Sequence, residues 1–271
     1  MADPRTASVD VTRVVGDHAT GADDVVVIEE PLEIRAAWAV NGEPREKNIS
    51  VTMRTPGDDG DLAVGFLFSE GLLHSAGEIE SVRHWSSPNI IRVALREGTR
   101  IDASKLDRHF YTTSSCGVCG KSSIEALRVS TSTKPVQTHP VTSALIHQLP
   151  RRLEEHQAAF RATGGIHAAA LFDAAGALLR TREDIGRHNA VDKVIGSLFL
   201  EKRTPLSDTI LMVSSRASFE IVQKAIVAGI PVVASVGAPS TLAIDLASEF
   251  HLTLLGFVRN ERFNIYTGSI S

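Results

Sequence analysis

Apolar residues recur along this chain with two different periods, and the switch between them divides it into differently written parts. In the first part, Val25 to Ile34 is rich in β-branched residues and Ile49 to Met53 repeats the habit, which predicts two strands. Asn41 and Gly42 between them have the chemistry of a hairpin turn. Asp61 takes the place of an N-cap for a helix whose apolar face includes Leu62, Phe66 and Leu67, with Leu73 at its edge, ending near Gly71. Val82 to Trp85 and Ile90 to Leu95 predict two further strands, with a turn at Pro88 and Asn89.

The later part alternates. A helix is predicted from Ser143 to Phe160, strands at Ile166 to Phe172 and near Leu178, and a helix at Asn189 to Phe199. Strand Ile210 to Ser214 then leads into helix Phe219 to Ala228, strand Val232 to Val236 into helix Thr241 to Ala247, and Leu252 to Val258 is the last strand. Such alternation predicts a largely parallel sheet covered on both faces. Between the parts, Thr112 to Ser115 are small and polar, as in an exposed connector.

The first two dozen residues are polar and mixed in charge, without the leader of a secretory signal, and read as a flexible tail. No apolar run approaches the ~20 residues that cross a bilayer, so no membrane association is expected and the protein is placed in the cytoplasm. A formal net charge of -4 gives no general nucleic-acid or membrane surface; any anion site has to be local. The expected division is a tail (1–24), an α+β domain (25–111), a mobile cysteine loop (112–121) and an α/β domain (122–271).

Composition matters most at cysteine. The two cysteines, Cys116 and Cys119, stand in Ser114-Ser115-Cys116-Gly117-Val118-Cys119-Gly120-Lys121. A long chain with its whole complement in one CxxC is not stapled by disulfides and suits a reducing compartment. Lys121 and a helix predicted to start after it, with Ser122 and Glu125 at capping-box spacing, favour a thiolate, and the glycines let the loop move. A persulfide carrier, a dithiol couple and half of a zinc site with His167 or His188 all remain open. A deaminase-like zinc site lacks its His-x-Glu element, since Ala168 and Ala169 follow His167.

In an open parallel sheet ligands bind beyond the carboxyl ends of the strands. Ser214, Ser215, Arg216 and Ser218 follow one strand, Gly237 to Thr241 the next, and Arg259, Asn260, Glu261 and Arg262 the last. Together they predict an anion-binding rim built on arginine forks and backbone amides. A further cluster, Arg182 to Lys193, holds more polar groups than a helix start needs; Arg187, His188 and Asn189 are its candidate binding residues, the alternative being a salt-bridged turn. His167 reads as a packed, hydrogen-bonded strand histidine.

The Ser114 to Lys121 loop, the stretches Thr163 to Leu171, Arg182 to Gly196 and Arg216 to Lys224, and the run on through Ala228 to Leu246 and Gly256 to Thr267 closely resemble the formate dehydrogenase accessory sulfurtransferase family, FdhD. The resemblance implies an α/β fold: a cytidine-deaminase-like three-layer C-terminal domain without zinc chemistry, beside a smaller α+β N-terminal domain, in a homodimer. It implies that a cysteine desulfurase loads Cys116 with a persulfide, that Cys119 assists or resolves it, and that the sulfur reaches the bis(molybdopterin guanine dinucleotide) molybdenum cofactor before formate dehydrogenase receives it. Phe257, Val258, Arg259, Asn260, Glu261 and Arg262 correspond to the family's cofactor-binding segment, with Ser214 and Arg216 beside them. No metal of the protein's own and no nucleic-acid partner is implied.

Overall fold

The computed structural model describes residues 3–99, 135–259 and 261–271. Cys116, Cys119, Lys121 and the connector around them lie outside the described residues, as does Asn260.

The first residues do not form the expected tail. β1 (Thr6–Val15) and β2 (His18–Val27) pair antiparallel as a hairpin about Gly16. β-Branched residues along both arms (Val9, Val11, Val25, Val26) supply the propensity that their mixed charge obscured. The predicted strand Val25 to Ile34 is accordingly two strands, with a break at Ile28 and Glu29 before β3 (Glu30–Val40). β3 turns at Asn41 and Gly42, both with positive φ (53° and 80°), into β4 (Glu43–Arg54). That is the expected two-residue hairpin, whose mirror-image turn follows the strand twist.

With β5 (Ile79–Trp85) and β6 (Ser87–Leu95) these strands make a sheet ordered β4-β3-β6-β5. The turn between β5 and β6 sits at Ser86 in a left-handed conformation, and Pro88 and Asn89 belong to the strand instead. Asn89 is used there as an acceptor for the buried Arg54. The sheet's inner residues Leu32, Ile34, Ile49, Ile91 and Val93 are buried with Leu62, Ala63 and Leu67 of α1 (Asp59–Ser69). α1 begins three residues before the expected cap, at Asp58. Asp61 is drawn away from capping by Arg182, whose Nη2 donates to its carboxylate at 2.7 Å.

The second sheet is ordered β12-β11-β10-β9-β7-β8, from β7 (His167–Asp173), β8 (Leu178–Asp184), β9 (Thr209–Val213), β10 (Val232–Ser235), β11 (Thr253–Arg259) and β12 (Arg262–Thr267). It is less parallel than expected: β9, β10 and β11 run together, while β7, β8 and β12 join by antiparallel pairs. The reason is connection length, since the β7–β8 and β11–β12 links are short turns and only a long crossover can bring a strand back parallel. β12 was not foreseen; its residues are mostly exposed or half-buried, as on an edge.

Successive residues of β9 point to opposite faces and into separate cores. Leu211 and Val213 join one with α1, α4 (Arg187–Leu200), α5 (Phe219–Val227) and α6 (Thr241–Glu249), while Ile210 and Met212 join the other with α2 (Ser143–Glu154). The sheet is thus the middle of three layers. The predicted helix Ser143 to Phe160 is two, because Glu183 accepts from the amides of Ala159 (3.0 Å) and Phe160 (2.9 Å) and starts α3 (Ala158–Thr163) afresh.

The larger core is continuous between the N-terminal sheet and the second one, and α1 against α4 is its seam. A Cβ built on Gly65 of α1 would overlap the carbonyl oxygen of Asp192, and one on Gly196 of α4 would overlap that of Asp61. The helices therefore touch backbone to backbone. We expect Gly196→Ala to cost about 3 kcal/mol by overpacking. Gly21→Ala, with open space around it, is expected to stay within about 0.5 kcal/mol. Urea unfolding of both variants measures the difference.

Candidate functional site

Three parallel strands must present their carboxyl ends on one edge, and the segments beyond them keep pairing after the strands stop. Val236 N donates to Val213 O (3.1 Å), Gly237 N to Ser215 O (3.2 Å), Ser240 N to Ala217 O (3.1 Å) and Phe257 N to Gly237 O (3.1 Å). A Cβ on Gly237 would lie 2.9 Å from Arg216 Cγ, so glycine is what lets the first two loops lie side by side. The segments predicted to share one edge do so, with Ser214, Arg216, Gly237, Phe257 and Arg259 along it.

Within the rim, residues divide by where they point. Arg216, Arg259, Glu261 and Arg262 are exposed. Arg259 lies over the Phe257 ring at 6.0 Å and pairs with Arg262 across the turn, where Glu261 has a positive φ of 56°. Ser214 is committed locally, its Oγ accepting from Ala168 N at 2.9 Å. Val258 has no exposure and packs in the smaller core, so its side chain faces away from any ligand.

The polar cluster Arg182 to Lys193 resolves into two groups. Most of it stitches the fold together. Arg182 pairs with Asp61 (2.7 Å), and Glu183 with Arg5 (2.9 Å) and α3. Buried Asp184 holds Lys193 Nζ at 2.7 Å and accepts from Thr55 N at 3.2 Å and Gly186 N at 2.8 Å. Lys193 Nζ also donates to Thr55 O at 2.9 Å. Asn189 belongs with these: its Nδ2 donates to Met53 O (2.8 Å) and Asp184 Oδ1 (3.0 Å), its Oδ1 accepts from Thr52 Oγ1 (3.2 Å), and it fastens β4 to α4 from inside. Burial lifts Asp184's carboxyl above its ordinary value against the pull of Lys193.

Arg187 and His188 are the two left for the rim. His188 Nε2 is 3.1 Å from Ser218 Oγ and 2.6 Å from Glu220 Oε2, which ties the start of α4 to the loop after β9 and the start of α5. Glu220 had no place in the sequence reading, and no spacing could have given it one, since it meets His188 across two helices. One turn further along the same helices, Lys224 Nζ holds both oxygens of Asp192 at 2.8 Å, with Ser69 Oγ donating to Asp192 Oδ1 at 3.0 Å. Burial raises Asp192's carboxyl; it works to lower Lys224, yet Asp192 and Glu70 carry that amine above its ordinary value.

His167 is not the hydrogen-bonded histidine expected. It is half-buried where β7 begins, and among the described residues its ring has no hydrogen-bond partner. Burial first, then the charges of Arg187 and His188, push it below its ordinary value of 6.5. Below that value the unfolded chain binds a proton that the folded one refuses, so this residue withdraws stability as pH falls through the histidine range. Urea unfolding near pH 7 and near pH 5 is expected to show a smaller acid loss for His167→Gln than for the parent chain.

The model of the FdhD/NarQ family matches residues 27–270. The chain is 46% identical to the "Sulfur carrier protein FdhD" of Streptomyces coelicolor, over 96% of this chain and 93% of that one. It is 42% identical to the protein of that name from Saccharolobus solfataricus, over 98% and 97%. A crystal structure described as a putative formate dehydrogenase accessory protein from Desulfotalea psychrophila superimposes with a TM-score of 0.75 at 25% identity, covering 98% of each chain.

Proposed function

The chain belongs to the FdhD/NarQ family, and from that premise we propose that it is a sulfur carrier serving formate dehydrogenase. Its sulfur rides on Cys116 as a persulfide, supplied by a cysteine desulfurase. Its substrate at the rim is the bis(molybdopterin guanine dinucleotide) molybdenum cofactor, later passed to the dehydrogenase. The protein works in the cytoplasm as a homodimer, Cys119 assisting or resolving the persulfide. The three-layer C-terminal part is on this reading a cytidine-deaminase-like scaffold; helices on both faces of a mixed sheet support that. No helix among the described residues is long and apolar enough to cross a membrane.

The observation that carries the substrate class is the state of the rim arginines. Arg5, Arg35, Arg54, Arg92, Arg180 and Arg182 are in ion pairs; among the described residues Arg187, Arg216, Arg259 and Arg262 have no carboxylate within 4.0 Å, a state shared by Arg83, Arg96 and Arg203 elsewhere, and what distinguishes the rim is that four such arginines gather at it. Four such arginines gathered at one edge of a chain of net charge -4 support reading it as a local anion site. Diphosphates of a dinucleotide fit such forks.

Loading is a displacement. The Cys116 thiolate attacks the terminal sulfur of the donor's persulfide, a new S–S bond forms on Cys116, the donor's S–S bond breaks, and its electron pair leaves on the donor's thiolate. No net oxidation occurs. At the rim the arginines hold the cofactor beside the carrier, which turns an encounter between two solutes into a local event.

Intact mass spectrometry after incubation with a cysteine desulfurase and cysteine is expected to show a reductant-labile gain of one sulfur atom, absent from Cys116→Ala. No gain in the parent chain would overturn the carrier assignment. Arg216→Ala and Arg259→Ala are expected to load sulfur normally and to bind the cofactor about tenfold more weakly each, the loss of one charge-assisted contact.

A further inference from the structure

The pair His188 and Glu220 has a property that the other charged pairs of this region lack. Asp184 is committed to Lys193, and Asp192 to Lys224. Glu220 has the imidazole as its partner on one oxygen, Oε2, at 2.6 Å; its Oε1 is enclosed and has none. The carboxylate is 14% exposed and the imidazole 18%, so both sit at the lip between rim and interior. Ser218 Oγ lies 3.1 Å from the same Nε2. Among the described residues Nδ1 has no partner. On the preceding residue, Arg187 Nε is enclosed and has no hydrogen-bond partner.

A carboxylate placed against one ring nitrogen decides that this nitrogen carries hydrogen, and so reserves the other for outside chemistry. It also offers a counter-charge if the ring becomes positive. A carboxylate this enclosed, with one oxygen unpartnered, is costly unless a positive group stands beside it. An arriving anion cannot share the lip with Glu220 unless a positive charge comes between them. The ring is where that charge can form.

We propose that His188, oriented by Glu220, is a ligand-contacting residue at the rim whose Nδ1 takes a proton from solvent as an anionic ligand binds and donates it as a hydrogen bond to that ligand. This deepens the function proposed above and rests on its reading of the rim as an anion site. The step balances simply. The Nδ1 lone pair binds one solvent proton, Nε2–H keeps facing Glu220 and Ser218, and the imidazolium lies between two negative groups. Release of the ligand returns the proton to solvent, and nothing is oxidised or reduced. Glu220 acts through His188 and is a positioning residue.

The charged and titratable groups around the ring come from every neighbouring element. Glu220 on α5 faces the ring directly; His167 on β7 and Asp184 at the end of β8 share its electrostatic neighbourhood with Arg187; Asp192 and Lys224 lie one helical turn further on, and Arg216 stands in the loop leading to Ser218. Asp184, Asp192 and Lys224 are fully paired, and Arg187 and Arg216 stay charged throughout the neutral range. His167 is separable from His188 by its own variant.

The test is an NMR-monitored titration of the intact chain with inorganic sulfate, an anion with no titration of its own in this range, near pH 6 and near pH 8. The parent chain is expected to bind sulfate about tenfold more tightly at the lower pH; one linked proton allows at most about tenfold per unit. His188→Gln is expected to keep the weaker affinity at both pH values, whereas His167→Gln retains the pH dependence. Glu220→Gln is expected to move the dependence to lower pH and to lose the Nε2–H preference in the ring's nitrogen shifts, and Glu220→Asp to restore both in part. Affinity independent of pH in the parent chain, equal dependence in His188→Gln, or no sulfate binding at either pH overturns the proposal. If His188→Gln fails to fold, the Glu220 variants and the parent's tautomer decide in its place. Persulfide loading on Cys116 is read separately by mass, so either idea can fail without the other.

Discussion

Two helices that meet without side chains between them hold this molecule in its shape. Gly65 of α1 lies on the backbone of α4 at Asp192, and Gly196 of α4 lies on the backbone of α1 at Asp61. Contact this close excludes water, so every polar group beside the crossing needs a partner from the protein. Ser69 donates to Asp192, which holds Lys224, and Lys193 reaches the carbonyl of Thr55 while pairing with Asp184. The N-terminal sheet and α1 are therefore fixed to α4 by packing and by directed bonds together. Ion pairs buried this way add little to net stability against an apolar alternative, but breaking one strands a charge. Their contribution is register.

That register reaches the rim. α4 runs from the seam to its first residues, Arg187 and His188, at the edge where β9, β10 and β11 end. Helix α5 is held to α4 at two successive turns, by His188 with Glu220 and by Asp192 with Lys224, and α5 in turn follows directly from the loop that bears Arg216. The N-terminal part thus sets the position of a site to which it gives no rim residue. A change at Gly65, far from the arginines in sequence, bears on them through one helix.

Much of this was legible before any coordinates. Strands of Val, Ile and Leu and the loops after them carry their own signal, so β9, β10, β11 and the helices between them fall within a residue or two of expectation. What the sequence hid is non-local. Asn189 has the credentials of a cap or a ligand contact, and nothing in its neighbours reveals that Met53 and Thr52 will claim it. Asp61 has an N-cap's credentials and goes to Arg182 instead. The hairpin of β1 and β2 was hidden for another reason: its alternating valines are diluted by charged residues that stay in solvent on a two-stranded ribbon with little core to cover.

The same accounting explains why charge clusters in the sequence overstate the site and scattered arginines understate it. The dense run from Arg182 to Lys193 is mostly consumed where the two sheets are joined, because joining them buries polar backbone that must be answered. Arg216 is more than forty residues from Arg259 and Arg262 in sequence, and none of the three stands in a dense run of charge. They are brought together since parallel strands end on one edge, where Glu261 is also exposed but none of the three arginines has a carboxylate within 4.0 Å among the described residues. An anionic ligand would complete what the protein leaves unpaired, and Glu220, enclosed beside that edge, is set against an imidazole where Asp184 and Asp192 are set against lysines.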